Sequence, residues 1–207
     1  MKPLLSVVIP YLSSPREIPL IVIDIDKQME NSEYSWELVL VDGGVDDKIS
    51  EIVKGMSRAV KNLKLVNSSG SGLDKKIRSG MLLANGKIRL LFDPKSGVSI
   101  DQINRVISVM DNEDARIVFA RRVWGSNIVR ALVKNPKIIF TLVANFVFIL
   151  IFLRSIHDVF CKFIVFTEGS AESIIGSMRR LDLTLGPRVI FSARKLGYKA
   201  REVIVEV

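Results

Sequence analysis

Residues 36–44 read WELVLVDGG, an apolar run that ends in an aspartate and two glycines. An apolar run of this length, bounded by turn residues, is typical of a buried β-strand. Two other runs have the same form: LSVVI (5–9) is followed by Pro10, and IRLLF (88–92) is followed by Asp93. We therefore predict three buried strands, each with a proline or an aspartate at its carboxyl end.

Helical patterns separate these strands. Ser14, Pro15 and Glu17 have the pattern of a capping box, which predicts a helix that extends to about Met29. Apolar spacing predicts further helices over residues 47–58, 74–84, 100–110, 168–180 and 188–196, and further strands over 63–66, 115–120, 158–166 and 200–207. The alternation indicates an α/β fold with a Rossmann-type, mostly parallel sheet flanked by helices, formed as a single domain by residues 1–207.

The strand ends are the first candidates for a functional site, because ligands of such sheets bind beyond the carboxyl ends of the strands. We expect the strands that end at Pro10, Asp42 and Asp93 to lie side by side in one sheet and to frame a single cleft. Aspartate and proline are also common turn residues, so their position alone does not establish a binding site.

The composition favours an anionic partner. The chain has 30 Lys and Arg against 22 Asp and Glu, a formal net charge of +8, which suits a phosphate, an acidic lipid headgroup or a nucleic acid. Only 7% of the residues are aromatic, and they do not alternate with the basic residues, so nucleic acid is the least favoured partner. The single histidine, His157, excludes a histidine-based metal site. The single cysteine, Cys161, excludes an intramolecular disulfide and is interpreted as a small buried apolar residue.

Residues 138–153 contain no charged side chain, and Thr141 and Asn145 are their only polar residues. The segment predicts a strongly apolar helix of about 16 residues, shorter than the ~20 that a membrane-spanning helix needs. Lys134, Lys137 and Arg154 flank it. Two interpretations stay open: a helix buried in the core or in a dimer, and a helix in the membrane interface whose cationic flanks contact lipid headgroups.

Six motifs follow one another along the chain: SVVIPY (6–11), VLVDGGVDD (39–47), LFDPKS (91–96), ARRV (120–123), DVFCKF (158–163) and GYKAREV (197–203). In this order they resemble glycosyltransferase family 2, and most of all its polyprenol-phosphate mannose and glucose synthases. The resemblance covers nearly the whole chain and implies the GT-A fold.

The resemblance also implies a set of site residues. Nucleotide contacts fall on Pro10, Tyr11, Asp42, Gly72 and Asp93, and the metal position falls on Asp93. Catalytic positions are assigned to Lys95, Arg122, Arg130 and Asp158. Arginines near a diphosphate or a lipid phosphate bind it bidentately and stabilise developing charge, whereas the alternative for these two arginines is a solvated basic patch.

The chain departs from the family at four places. Lys95 occupies the second carboxylate position of the metal-binding Asp-x-Asp pair, Gly43 replaces an aspartate, Lys162 replaces a glycine, and residues 13–14 are Ser-Ser instead of Asn-Glu. The resemblance implies a Mg²⁺ or Mn²⁺ ion, but an ammonium group cannot bind a metal, so the sequence leaves open whether a divalent metal binds. We expect Lys95 to contact the diphosphate instead; the alternative is a solvated lysine after Pro94.

The function implied is transfer of a sugar from a nucleotide-sugar donor to an acceptor, with a polyprenyl phosphate at a membrane surface as the candidate acceptor. Its phosphate oxygen is already anionic near neutral pH, so no general base is required. Two hypotheses stand beside this one: a catalytically inactive nucleotide-sugar-binding or membrane-associated relative, and a basic binder of nucleic acid or membrane surfaces. We expect a cytoplasmic protein that is peripheral at the membrane, and leave a dimer open.

Overall fold

The computed structural model describes residues 3–10, 14–44, 47–123, 156–178 and 185–206. Within these ranges the chain forms a seven-stranded sheet with helices packed against it, which confirms the α/β prediction. The strands are β1 (Leu5–Ile9), β2 (Trp36–Asp42), β3 (Leu63–Asn67), β4 (Ile88–Phe92), β5 (Ile117–Val123), β6 (Phe163–Thr167) and β7 (Ala200–Glu206). The helices are α1 (Ile18–Met29), α2 (Asp47–Met56), α3 (Leu73–Leu83), α4 (Ile103–Asn112), α5 (Glu168–Ser177) and α6 (Leu185–Lys195).

The sheet has the order β3-β2-β1-β4-β6-β5-β7. Strand β1 pairs in parallel with β2 and β4, β2 pairs in parallel with β3, and β5 pairs in parallel with β7. Strand β6 is antiparallel to both of its neighbours, β4 and β5. The residues that precede β6 therefore lie at the edge of the sheet where the parallel strands end.

Apolar side chains cover both faces of the sheet. On one face, residues such as Val7 and Ile9 pack with α1, α2 and α4; on the other face, residues such as Val8 and Leu91 pack with α3, α5 and α6. Strands buried on both faces have near-continuous apolar sequences. This burial explains why the apolar runs at 5–9, 36–41 and 88–92 predicted strands with the observed boundaries to within one residue.

A buried arginine, Arg89, lies near the start of β4 and is only 2% exposed. Its guanidinium donates to the carbonyl oxygens of Met81 at 2.8 Å and Gly86 at 3.3 Å. It also forms ion pairs with Glu168 at 3.1 Å and Glu172 at 3.3 Å. Protein groups thus compensate this buried charge, at the edge of the sheet opposite to the predicted site. We interpret the cluster as structural.

The predicted capping box is wrong in its details. The Ser14 hydroxyl accepts a hydrogen bond from the Arg16 amide at 3.3 Å, but it caps a 3₁₀ turn over Pro15–Glu17, and α1 begins only at Ile18. The Glu17 carboxylate does not return to Ser14, because it pairs with the Lys95 ammonium at 2.9 Å. Another 3₁₀ turn, Ile100–Gln102, precedes α4, where the sequence predicted continuous helix.

The strand predicted over residues 158–166 is only half correct. Residues 158–162 form a turn in which the Cys161 amide donates to the Asp158 carbonyl at 3.4 Å, and β6 begins at Phe163. Helix α5 ends at Ser177, three residues before the predicted end, and α6 begins at Leu185, three residues before the predicted start. Cys161 is buried, as predicted, and burial raises the pKa of its thiol to about 12.

The apolar segment 138–153 lies outside the described residues, so both interpretations of it stay predictions. Of the helices in the described ranges, none is both long enough and apolar enough to cross a membrane.

Candidate functional site

The candidate site lies at the carboxyl edge of the parallel strands. Val8 of β1 pairs with Val39 of β2 on one side and with Leu91 of β4 on the other. This register brings the ends of the three neighbouring strands to one edge, where Pro10, Asp42 and Asp93 lie. The side-by-side order of these strand ends is confirmed, whereas the single cleft that they were expected to frame stays a prediction.

The two carboxylates at this edge leave the sheet in different directions. Along β2, Asp42 continues the row of Leu38 and Leu40, which belongs to the face covered by α1, α2 and α4. Asp93 follows the row of Leu91, which belongs to the opposite face. Because successive side chains alternate between faces, a ligand that contacts both carboxylates has to lie across the strand ends and not over one face.

Asp42 is the residue at this edge that points most directly to a ligand. It is only 5% exposed, and its carboxylate makes no hydrogen bond or ion pair with any described residue. Its main-chain oxygen accepts a hydrogen bond from the Ser68 amide at 2.8 Å, which holds the loop after β3 against the end of β2. A carboxylate at a strand end with no partner among the described residues can accept hydrogen bonds from a base N–H or from ribose hydroxyls.

The glycine-rich loop at 68–72 packs beside Asp42 and explains one departure from the family. A Cβ atom at Gly43 would lie 2.8 Å from the Lys76 Cε and 2.8 Å from the Ser71 Cα. An aspartate at position 43 therefore does not fit unless the loop moves. Gly72, an expected nucleotide contact, is the N-cap of α3 in this same loop.

Asp93 is engaged by two lysines. Its Oδ1 accepts a hydrogen bond from the Lys95 amide at 3.0 Å, and its Oδ2 lies 3.5 Å from the Lys162 Nζ. The Lys95 ammonium, which is half exposed, extends to Glu17 on the 3₁₀ turn before α1. The Asp93 carboxylate therefore fixes the main chain of Lys95, while its ion pair is with Lys162.

Arg122 and Asp158 form a bidentate ion pair next to this turn. The Arg122 Nε and Nη2 donate to the two carboxylate oxygens of Asp158 at 2.7 and 3.0 Å, and Arg122 Nη1 donates to the Ser96 carbonyl at 3.3 Å. Burial opposes the charge of Arg122, but the hydrogen bond and the charge of Asp158 outweigh it and raise the pKa of the guanidinium. The structure thus brings two predicted catalytic residues together and links them to the turn after Asp93.

Glu202 is a residue of this region to which sequence reasoning gave no role. Its side chain, only 8% exposed, accepts hydrogen bonds from the amides of His157 at 2.6 Å and Asp158 at 2.9 Å. It also contacts the His157 Nδ1 at 2.8 Å, and Arg121 lies 3.8 Å away. The motif GYKAREV contains this glutamate, which lies in β7, so the sequence pattern that could have indicated its role was already in view. Glu202 positions the turn that carries Asp158.

We expect Glu202→Gln to loosen this turn, because an uncharged amide accepts weaker hydrogen bonds and also presents an N–H group to the two amides. The free energy of unfolding should fall by about 1–2 kcal/mol. Hydrogen exchange should accelerate at the amides of His157 and Asp158. Glu113→Gln removes the charge of an exposed glutamate paired with Arg201 and is the control. Unchanged protection of residues 157–158 would contradict the positioning role.

Two predicted residues, Tyr11 and Arg130, lie outside the described residues, and their roles stay predictions.

The sequence profile described as "Glycosyl transferase family 2" matches residues 6–174, which is most of the chain. This chain belongs to glycosyltransferase family 2. Its family 2 match includes the ends of β1, β2 and β4, the Arg122–Asp158 pair and the turn before β6.

Similar curated proteins are named as sugar transferases. This family 2 chain is 24% identical over 212 residues to a dolichyl-phosphate beta-glucosyltransferase of Trichomonas vaginalis, an alignment that covers 98% of this chain and 65% of the relative. It is 25% identical over 220 residues to a dolichyl-phosphate beta-glucosyltransferase of Dictyostelium discoideum, covering 97% and 65% of the two chains. The chain thus spans just under two thirds of the length of these relatives.

Solved structures confirm the GT-A-like fold of this family 2 chain. The mannosyltransferase PcManGT from Pyrobaculum calidifontis, in complex with GDP-Man and Mn²⁺, matches with a TM-score of 0.62 and 14% identity, over 100% of this chain and 57% of that one. The glucosyl-3-phosphoglycerate synthase of Mycobacterium tuberculosis matches with a TM-score of 0.65 and 17% identity, over 99% and 71%. That synthase has also been solved with Mn²⁺, UDP and glucosyl-3-phosphoglycerate.

Proposed function

We propose that this chain transfers a sugar from a nucleotide-sugar donor to an acceptor phosphate. The observation that carries the proposal is the carboxyl edge of the sheet, where the carboxylate of Asp42, which has no partner among the described residues, lies in the strand next to β1 and Asp93 follows the strand on the other side. Family membership and the ordered match from β1 to α5 support the same conclusion. On this proposal, Pro10, Asp42 and Gly72 contact the nucleotide, and so does Tyr11.

The transfer step needs little from the protein beyond placement and charge. An oxygen of the acceptor phosphate forms a bond with the anomeric carbon, while the bond from that carbon to the diphosphate breaks and its electron pair leaves with the nucleoside diphosphate. The acceptor oxygen is anionic near neutral pH, so no proton has to be removed. Cationic groups stabilise the departing diphosphate. We propose Arg122, which is bonded to Asp158, for this role, with Arg130 as a further candidate.

We propose a polyprenyl phosphate as the acceptor. The support comes from the similar proteins that are named dolichyl-phosphate beta-glucosyltransferases and from the net charge of +8. An acceptor of this kind lies in a membrane, and the apolar segment 138–153 with its cationic flanks provides a peripheral contact on the cytoplasmic side. A dimer formed through the same segment is the alternative use of its apolar surface.

The resemblance implies a divalent metal, but the described residues offer few ligands for one. Similar structures contain Mn²⁺ together with GDP-Man or UDP. Here, across the described ranges of the chain, no three His, Cys, Asp or Glu side chains group as metal ligands. Asp93 is a single carboxylate already bonded to a lysine amide and paired with a lysine ammonium, whereas Mg²⁺ and Mn²⁺ take several oxygen ligands. The described residues do not fit a divalent metal.

A catalytically inactive nucleotide-sugar-binding relative is the second candidate. The observation in its favour is that three acidic positions of the family are lost: Gly43 has no room for a side chain, Lys95 replaces a carboxylate, and Ser14 replaces a glutamate. The two candidates predict the same binding of nucleotide but differ in turnover.

The test is a transfer assay with the whole chain. UDP-glucose and GDP-mannose, labelled in the sugar, are incubated with a short polyprenyl phosphate in detergent, and the lipid product is quantified by mass spectrometry. We expect one nucleoside diphosphate released for each sugar transferred. Binding of a nucleotide without transfer to any acceptor supports the inactive relative. Failure to bind UDP, GDP or their sugars would overturn both candidates.

A substitution of Asp42 distinguishes a role in ligand binding from a role in stabilising the fold. Asp42→Asn keeps the size of the side chain and breaks no contact with a described residue, so the free energy of unfolding without ligand should change by less than about 0.5 kcal/mol. The same change should weaken UDP or GDP binding about tenfold, because an amide offers fewer acceptor sites than a carboxylate. Urea unfolding and calorimetry measure the two effects, with Asp101→Asn, at an exposed residue, as the control. A loss of stability in Asp42→Asn would contradict the role in ligand binding.

A further inference from the structure

Two departures from the family pattern meet at one carboxylate. Lys95 and Lys162 are far apart in sequence, yet both contact Asp93. Phe92 pairs with Phe163 across the antiparallel β4–β6 ladder, and the next residues continue the pairing, since the Asp93 amide donates to the Lys162 carbonyl at 3.0 Å. The Lys162 side chain then reaches the Asp93 Oδ2 at 3.5 Å. The lysine that replaces a glycine therefore stands beside the carboxylate that remains.

Lys95 is held on the other side of the same carboxylate. The Asp93 Oδ1 caps the 3₁₀ turn Pro94–Ser96 by accepting the Lys95 amide, so the Lys95 Cα stays next to Asp93. Its ammonium reaches Glu17 in a pair whose side chains are 56% and 38% exposed. An exposed ion pair contributes little to stability, so the contact with Glu17 is broken at small cost when an anionic ligand binds.

The charges at this point of the sheet oppose a divalent cation. A carboxylate pair without a bound metal carries a charge of −2 and attracts the ion. Here the pair is replaced by one carboxylate and one lysine, and a second ammonium lies 3.5 Å from the remaining carboxylate. The Lys162 ammonium repels a divalent ion at this distance, and neither ammonium group can bind one. Together they carry the same formal charge as the metal they would displace.

We propose that this chain binds the diphosphate of its nucleotide without a divalent metal, and that Lys95 and Lys162 supply the positive charge on either side of Asp93. The inference rests on the proposed function, because it concerns the same nucleotide site. Lysine binds phosphate as a point charge, and two lysines on the adjacent turns after β4 and before β6 can contact different phosphate oxygens. Asp93 holds the two lysines in place and is not a metal ligand.

The test is calorimetry of UDP and GDP binding to the whole chain, in EDTA and in Mn²⁺. For the wild type we expect the same dissociation constant in both buffers. Lys95→Ala and Lys162→Ala should each weaken binding about tenfold, the effect of one charge-assisted contact. Lys199→Ala is the matched control, since Lys199 is 55% exposed and lies in an exposed pair with Asp114; it should leave the dissociation constant unchanged.

A double variant provides the reverse test. Lys95→Asp with Lys162→Gly restores the carboxylate and removes the second ammonium, so nucleotide binding should become dependent on Mn²⁺. Circular dichroism and thermal unfolding establish that each variant is folded. Wild-type binding that requires Mn²⁺, or that is unaffected by both lysine variants, would overturn the inference and leave the proposed function intact. The absence of binding in both buffers would overturn the inference together with the proposed function.

Discussion

Asp158→Asn is expected to lower the free energy of unfolding by about 2–3 kcal/mol, because it leaves the guanidinium of Arg122 in a buried position without a charged partner. The two side chains are 8% and 14% exposed and are joined by two hydrogen bonds. Removing one member of a buried pair is more harmful than removing one of an exposed pair. The asparagine retains one oxygen, which keeps the loss below that of a full truncation. Urea unfolding measures the change.

Asp114→Asn is the matched control for this prediction. Asp114 pairs with Lys199 at 3.6 Å, but the side chains are 76% and 55% exposed, so the same chemical change should lower the stability by less than about 0.5 kcal/mol. A double variant, Arg122→Met with Asp158→Leu, removes both charges and should recover most of the stability that Asp158→Asn loses. It should not recover sugar transfer. Equal losses in Asp158→Asn and Asp114→Asn would contradict the buried pair.

Gly186→Ala is expected to lower the free energy of unfolding by about 3 kcal/mol, an overpacking effect at the upper end of the usual range. Gly186 is the second residue of α6, and a Cβ atom there would lie 1.7 Å from the Val159 carbonyl oxygen and 2.8 Å from its carbon. These are backbone atoms, so a side-chain rotation cannot relieve the overlap. Either α6 or the turn at 158–162 has to move. Moving α6 is unfavourable because several of its residues are buried in the core.

Gly176→Ala is the control for this second prediction, with the opposite expected sign. Gly176 lies in α5, and a Cβ atom there meets no other atom within 4 Å. Alanine has the higher helix propensity, so the variant should be more stable by up to about 1 kcal/mol. Thermal or urea unfolding of both variants measures the difference. If Gly186→Ala were as stable as the wild type, the close contact between α6 and the turn would be wrong.

Much of the fold could be predicted from the sequence, because its strands are buried on both faces and carry few polar residues. The runs that end at Ile9, Asp42 and Phe92 are apolar for this reason. Residues 158–162 have a similar apolar content but form a turn. The amides of His157 and Asp158, at the start of this turn, donate to Glu202, and that contact from β7 cannot be seen in the spacing of nearby residues. Local sequence patterns therefore predicted the buried strands better than the turns that join them.

The candidate site was predicted in part. Asp42 and Asp93 follow apolar runs, and that position was enough to place them at one edge of the sheet. The partner of Asp93 was not predictable in the same way, because the contact with Lys162 depends on β6 running antiparallel to β4. Likewise, Glu17 matched a local capping pattern, but its carboxylate pairs with Lys95. In both cases a long-range ion pair decided the geometry.

The antiparallel strand β6 also has a consequence for how this protein folds. Strands β1 to β4 pair among themselves, so half of the sheet can form from the first half of the chain. The rest cannot close until residues 163–167 insert between β4 and β5, and pairings that are distant in sequence form slowly. A ligand that needs both Asp93 and Lys162 binds only the completed sheet. Nucleotide should therefore shift the unfolding of the whole protein to higher temperature, by mass action on the native state.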